Sequence, residues 1–304
     1  MNLFAVINQL ISLFLMMLIG FIAARAGVIT VEFRKRLSSF TLNTAAPCII
    51  ISSVLESESN PMKMLGAAGM GVFFFIIMIA FAAVIVRLLR VSRGERGLDQ
   101  MMLIFTNVGF MGIPVVQSIY GPGGVALLSM FILIFNIFFF SYGVLLISSS
   151  AKFNWRSLLN ACIIAALIGL VFGVTGWHLP DPVENTMASV GAMNTPLAMM
   201  VIGASMAHSD VRKALTNKRM YRVCLLSMFL MPLLMLAVVQ FMPVDPMLAG
   251  ICVLLAAMPI AGNCAMLSDI YTPDDMTASH CVMVSTLLSG VSLPLVCAMI
   301  AAVL

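Results

Sequence analysis

Long apolar runs, separated by short clusters of charge and turn-forming residues, dominate this chain. The hydrocarbon core of a bilayer is about 30 Å thick, so a helix needs roughly 20 apolar residues to cross it. Runs of that kind predict ten spans, at 3–24, 37–55, 65–86, 101–120, 125–148, 158–177, 187–206, 221–242, 247–270 and 277–302. The run from Leu3 to Ala24 is too long for the h-region of a cleavable signal and has no basic segment before it, so it is expected to remain as the first span.

Composition agrees with this pattern. Of 304 residues, 62% are hydrophobic and 9% charged, which excludes an ordinary soluble domain and predicts an all-α, multi-pass membrane protein. The net charge of +4 matters less than its distribution. Fifteen of the sixteen basic residues follow odd-numbered spans: Arg25, Arg34, Lys35, Arg36, Arg87, Arg90, Arg93, Arg96, Lys152, Arg156, Arg212, Lys213, Lys218, Arg219 and Arg222, leaving only Lys63. The positive-inside rule then puts those loops in the cytoplasm and both termini on the other side of the cytoplasmic membrane. It also makes the basic clusters orientation signals, so no nucleic-acid partner is expected. Seven scattered cysteines without metal-ligand spacing read as reduced packing residues. The three histidines, at 178, 208 and 280, sit at span ends. Neither a metal, a cofactor nor a catalytic set is expected, and the chain does not read as an enzyme.

The fourth predicted span breaks its own pattern. "NVGFMGIPVVQSIYG" (107–121) puts Asn107, Gly109, Gly112 and Pro114 at membrane depth. Pro114 has no N–H, so the carbonyl of Phe110 loses its intrahelical partner. The ninth span carries a counterpart, "AAMPIAGNCAM" (256–266), in which Pro259 frees the carbonyl of Leu255 and Gly262 and Asn263 follow. Such breaks survive in hydrocarbon only inside protein or beside a polar cavity. A half-helix opening at a proline directs N–H groups and a partial positive charge into the midplane, which suits a carboxylate. Asn107 and Asn263 add amides, so these seven residues form the expected substrate site. Asn43, Thr44, Asn194 and Thr195 are secondary candidates for the substrate path, with interhelical hydrogen bonding as the plainer reading. Asp269 and His280 are candidates for proton coupling, although both lie close enough to an interface to be solvated. "GLVFG" (169–173) reads as a close-packing motif, at a dimer interface or elsewhere.

A displaced self-match runs through the chain. Shifted by 151 residues, Asn43-Thr44 falls on Asn194-Thr195, "SIYGP" (118–122) on "DIYTP" (269–273), and Ser141 on Ser292. A shift of 149 lays "LIG" (18–20) on "LIG" (167–169) and Gly27 on Gly176. Two repeats follow, 1–150 and 151–304. Five spans is an odd number, so the second copy enters the membrane from the opposite side. Inverted repeats with paired broken helices point to a secondary transporter. A passive channel stays open as an alternative, which counterflow would separate from a carrier.

The span 4 pattern from Asn107 through Pro114 to Tyr120-Gly121, together with "NTPLAMMVIGASM" (194–206), Pro259 and Tyr271, and "STLLSGVSLP" (285–294), resembles the auxin efflux carrier family. That family includes plant PIN auxin exporters and bacterial transporters of malonate-like acids. The resemblance implies a fold similar to the bile acid/sodium symporters and sodium/proton antiporters, with spans 4 and 9 crossing near the midplane. It further implies a scaffold of spans 1, 2, 6 and 7, often dimeric, and a transport unit of spans 3–5 and 8–10 that moves as an elevator. By position, Asn107 would meet a substrate carboxylate while Pro114 and Pro259 mark the crossing. Cys264 stands where plant members have a second proline, and only about ten residues (148–157) link the halves. A small organic anion is therefore expected rather than auxin, with a sodium- or proton-coupled symporter of another amphipathic anion as the alternative.

Overall fold

The structure, a computed structural model, describes residues 3–56, 61–147, 161–177, 179–207, 218–271 and 277–303. The positions expected as loop charges at Lys152, Arg156, Arg212 and Lys213, the linker 148–157, and His178 and His208 lie outside the described residues, as do the side chains of Asp269 and Tyr271. Among the described residues the fold is helical, with no strand beyond one isolated bridge between Thr106 and Ile260.

The helices of the first half are α1 (Leu3–Arg25), α2 (Val31–Phe40), α3 (Ala46–Glu56), α4 (Pro61–Leu88), α5 (Arg93–Ile104), α6 (Ile113–Phe138) and α7 (Val144–Ile147). Those of the second are α8 (Ala161–Thr175), α9 (Asp181–Ala192), α10 (Asn194–Ala207), α11 (Lys218–Leu225), α12 (Met231–Val239), α13 (Pro246–Ala257), α14 (Gly262–Tyr271) and α15 (Thr277–Val303). Wide π turns at Thr41–Ala45, Phe139–Gly143 and Leu226–Leu230 join α2 to α3, α6 to α7 and α11 to α12, while Val108–Gly112 leads into α6. Among the described residues, six stretches are long and apolar enough to cross a membrane: Val31–Leu55, Met62–Leu88, Gly112–Ile147, Asp181–Ala207, Lys218–Val239 and Thr277–Val303. Ile11–Arg25, Ala161–Phe172 and Pro246–Ala257 are shorter apolar helices. Their outward side chains, among them Ile19, Ile22, Leu65, Ile76 and Leu295, stay exposed, a surface suited to lipid rather than water.

The longest of these stretches is not one straight helix. At Gly121 the backbone takes φ 66° and ψ −160° inside α6, a conformation that only glycine adopts without a steric penalty. Pro122 follows, and the chain turns there, ending the segment that contains Asn107 and starting the next long helix. Elsewhere small residues set the packing distance. A Cβ on Gly20 would overlap the backbone of Met200, and one on Gly203 the backbone of Met17, so α1 and α10 touch backbone to backbone. Gly169 of the "GLVFG" motif lies against Val54 of α3, within the chain. All seven cysteines are free thiols.

An aromatic cluster fixes α4, α5 and α6 together. Phe75 stacks on Phe105 and Phe138 at 6.1 and 5.5 Å between centroids, and Phe105 meets Phe135 and Phe139 edge-on at 5.7 and 5.1 Å. Phe105 is fully buried, and it is the residue at which α5 ends.

Candidate functional site: two broken helices that cross

Two interrupted segments meet inside the molecule. After α5 the chain is non-helical at Phe105–Asn107, and after α13 it is non-helical from Met258 to Ala261. The two run antiparallel and exchange backbone hydrogen bonds: Asn107 N–H donates to the Pro259 carbonyl at 2.7 Å, and Ala261 N–H to the Phe105 carbonyl at 3.0 Å. Pro259 dictates part of this shape, because a residue before proline is driven out of the helical region. Met258 is accordingly extended, at φ −63° and ψ 149°.

The carbonyl expected to be orphaned by Pro259 has a partner. Thr106 Oγ1 donates to the Leu255 carbonyl at 2.7 Å in a fully buried position. Ser285 of α15 serves the same segment, its Oγ accepting from Ile260 N–H at 3.1 Å. Met258 N–H also reaches the Leu255 carbonyl, at a longer 3.3 Å. An unpaired backbone group would cost several kcal/mol here, and the two hydroxyls strengthen the crossing. Sequence reasoning missed both, because nothing local marks a threonine or serine whose partner lies on another helix.

The first break is not where Pro114 placed it. The chain leaves helical geometry nine residues earlier, at Phe105, and Asn107 restarts it as the cap: its Oδ1 accepts from Phe110 N–H at 3.1 Å and its carbonyl from Gly112 N–H at 2.9 Å. The second bond spans five residues and makes the π turn Val108–Gly112. Pro114 follows within the first turn of α6, where a missing N–H is best tolerated. Asn107, only half-buried, keeps its amide NH2 available.

The expected site residues separate into two groups around this crossing. A Cβ added to Gly109 or Gly262 would meet nothing within 4 Å, so both N-terminal turns border open space. Gly262 is exposed, and Asn263 beside it is half-buried. Gly112 and Pro114 are buried instead; Gly112 packs on Leu255, whose Cδ2 would lie 3.4 Å from an added Cβ. They support the turn without bordering the space. Pro259 contributes its carbonyl to the crossing.

The secondary candidates are dispersed. Asn43 is exposed and bonds back to Ser39, at 2.8 Å to the carbonyl and 3.2 Å to Oγ, while Thr44 is half-buried. Asn194 is 2% exposed, and its amide nitrogen has no partner among the described residues. Thr195 Oγ1 donates to Gln117 Oε1 at 3.3 Å, linking α10 to α6. His280 is buried on α15, its Nδ1 without a partner among the described residues. Asp269 falls on α14, but a pairing with His280 lies outside what the structure describes.

One charged cluster was not anticipated. Asp99, with a side chain 2% exposed, accepts from Arg219 Nε at 2.8 Å and Arg222 Nη2 at 2.9 Å, while Glu95 lies 3.5 Å from Arg219. It joins α5 to α11. The same arginines had counted only as orientation signals.

Comparison with known proteins agrees with a transport role. A family model described as "Membrane transport protein" matches the chain twice, over residues 5–153 and 145–297. A protein of Methanothermobacter thermautotrophicus (strain Delta H), described as an uncharacterized transporter, is 25% identical over 300 residues, which cover 95% of this chain and 96% of the relative.

Proposed function

Given that the chain belongs to the membrane transport protein family, a family of transporters and not of enzymes, we propose that it is a secondary carrier of a small organic anion, a carboxylate, held where the two broken helices cross. The observation that carries this reading is the open space beside Gly109 and Gly262 at the N-terminal turns of both half-helices. Amides in a first helical turn have no acceptor within their own helix, and the dipole adds partial positive charge. Thr106, Asn107, Asn263 and Ser285, the side chains around the crossing, are neutral. An anion held by neutral donors is bound without a full ion pair, which favours release after each passage.

The carrier is read as two inverted five-helix repeats, 1–150 and 151–304, with ten spans, of which the fourth and ninth are the broken pair. The match of the family model to each half supports this. So do Gly27 and Gly176, superposed by the self-match, which both adopt positive φ, 78° and 66°, just past the ends of α1 and α8. The basic-residue distribution supports both termini lying on the non-cytoplasmic side of the cytoplasmic membrane.

Alternating access by an elevator motion is supported by how inter-helix bonds sort. Arg34–Ser205 and Cys162–Leu42 lie within spans 1, 2, 6 and 7. Asp99–Arg219, Gln100–Tyr142, Thr106–Leu255 and Ser285–Ile260 lie within spans 3–5 and 8–10. Among the described residues, Thr195–Gln117 joins the two sets through a long bond of 3.3 Å. The scaffold is also the surface through which a homodimer would form. Proton coupling is a second reading, favoured by the buried Nδ1 of His280; a His280→Gln carrier would then lose its response to an imposed proton gradient.

A thermal-shift titration of the purified protein with mono- and dicarboxylates tests the site. At least one carboxylate should stabilise the wild type, and Asn107→Ala should weaken its binding about tenfold, roughly 1.4 kcal/mol. Unchanged affinity in that variant would remove Asn107 from the site.

A further inference from the structure

Along the segment that leaves the crossing, Asn107, Phe110 and Gln117 stay half-buried on its open face, unlike the fully buried Met111, Gly112, Ile113, Pro114, Val115 and Val116. Gln117 identifies what that face meets, because its Oε1 accepts from Thr195 of α10. Next to Thr195 stands Asn194, 2% exposed and with its amide nitrogen unpartnered among the described residues. Burying an amide donor without an acceptor costs about 1–3 kcal/mol, a penalty that an occupant supplying an oxygen would remove.

We infer that Gln117, with Asn194 and Thr195 across the seam, forms a second polar station of the same site and takes a hydrogen-bonding group at the far end of the substrate. The inference rests on the carboxylate reading of the crossing. Gln117 Nε2 and Asn194 Nδ2 are the donors; Thr195 occupies the Gln117 oxygen and so directs its NH2 away. Ten residues separate Asn107 from Gln117, about 15 Å of helix rise, and a helical side chain leans back toward the N-terminus, shortening the gap to roughly 10 Å. The half-buried Phe110 lies between, an apolar side chain. The substrate class is therefore an elongated carboxylate with an apolar middle and a neutral hydrogen-bonding terminus, longer than a three- or four-carbon diacid.

The test compares octanoate with 8-hydroxyoctanoate, two monoanions of equal chain length, by calorimetric titration of the full-length protein. The hydroxylated acid should bind wild type about fivefold more tightly. In Gln117→Met that advantage should vanish, a monodisperse elution profile and a cooperative thermal transition without ligand showing that the variant is folded. Asn194→Leu, on the opposite helix, should shrink the advantage independently and decides the matter where Gln117→Met does not fold. Equal binding of the two acids by the wild type, or an advantage that survives both substitutions, overturns the second station alone. Binding of neither acid by the wild type overturns it together with the carboxylate site.

Discussion

At the residue scale the decisive side chains are the ones that replace lost helical hydrogen bonds. Pro259 leaves the Leu255 carbonyl without its amide, and Thr106 supplies a hydroxyl from the other half of the chain. Thr106→Val keeps the shape and removes that donor. The carbonyl keeps the longer bond from Met258 N–H, at 3.3 Å, so the loss should be about 1 kcal/mol, read as a lowered midpoint in detergent unfolding. An unshifted midpoint would show the bond is dispensable. Asn107 was legible because an amide at membrane depth is rare. Thr106 and Ser285 were not, since their partners, Leu255 and Ile260, lie on other segments and only folding brings them together. Gln117 escaped notice for the same reason: its partner Thr195 is on α10.

At the element scale the sequence announced two broken helices, and it located one of them correctly. Around Pro259 the proline itself forces the extended backbone at Met258, so a local signal suffices. In the first half the break falls at Phe105–Asn107, set by the Phe105 anchor in the aromatic cluster and the Asn107 cap. Pro114 then sits where a helix accepts proline, and its position says little about where the chain opens. Gly262 offers the cleanest test of the space between the half-helices, because a Cβ there touches nothing within 4 Å. Gly262→Leu should fold with wild-type thermal stability yet fail to bind or move the anion. A variant that loses stability as well would mean the space is closed packing, and full transport would mean it is not on the path.

At the scale of the whole molecule the claim is relative motion of two bodies across a seam. Long apolar runs made the multi-pass membrane character readable without coordinates. The Asp99–Arg219–Arg222 cluster that braces α5 against α11 was unreadable, because a loop arginine that orients the chain and one that ion-pairs look alike in sequence. If the seam slides, a short reducible bifunctional thiol reagent bridging Phe14→Cys of α1 and Gly290→Cys of α15, positions that face each other across it, should arrest transport, and reduction should restore it. Six of the seven native thiols are buried, and the half-buried Cys48 is first replaced by serine. Transport that continues through a fully formed cross-link would rule the sliding motion out.

Counterflow in proteoliposomes tests the carrier most directly. Vesicles holding the purified protein are preloaded with an unlabelled carboxylate that stabilises it, then diluted into a trace of the same compound carrying a radiolabel. A carrier with one site at the crossing should accumulate label transiently above its external concentration, saturably, and Asn107→Ala should weaken the effect. Label that merely equilibrates, at a rate linear in concentration and indifferent to preloading, would identify an open pore and contradict alternating access.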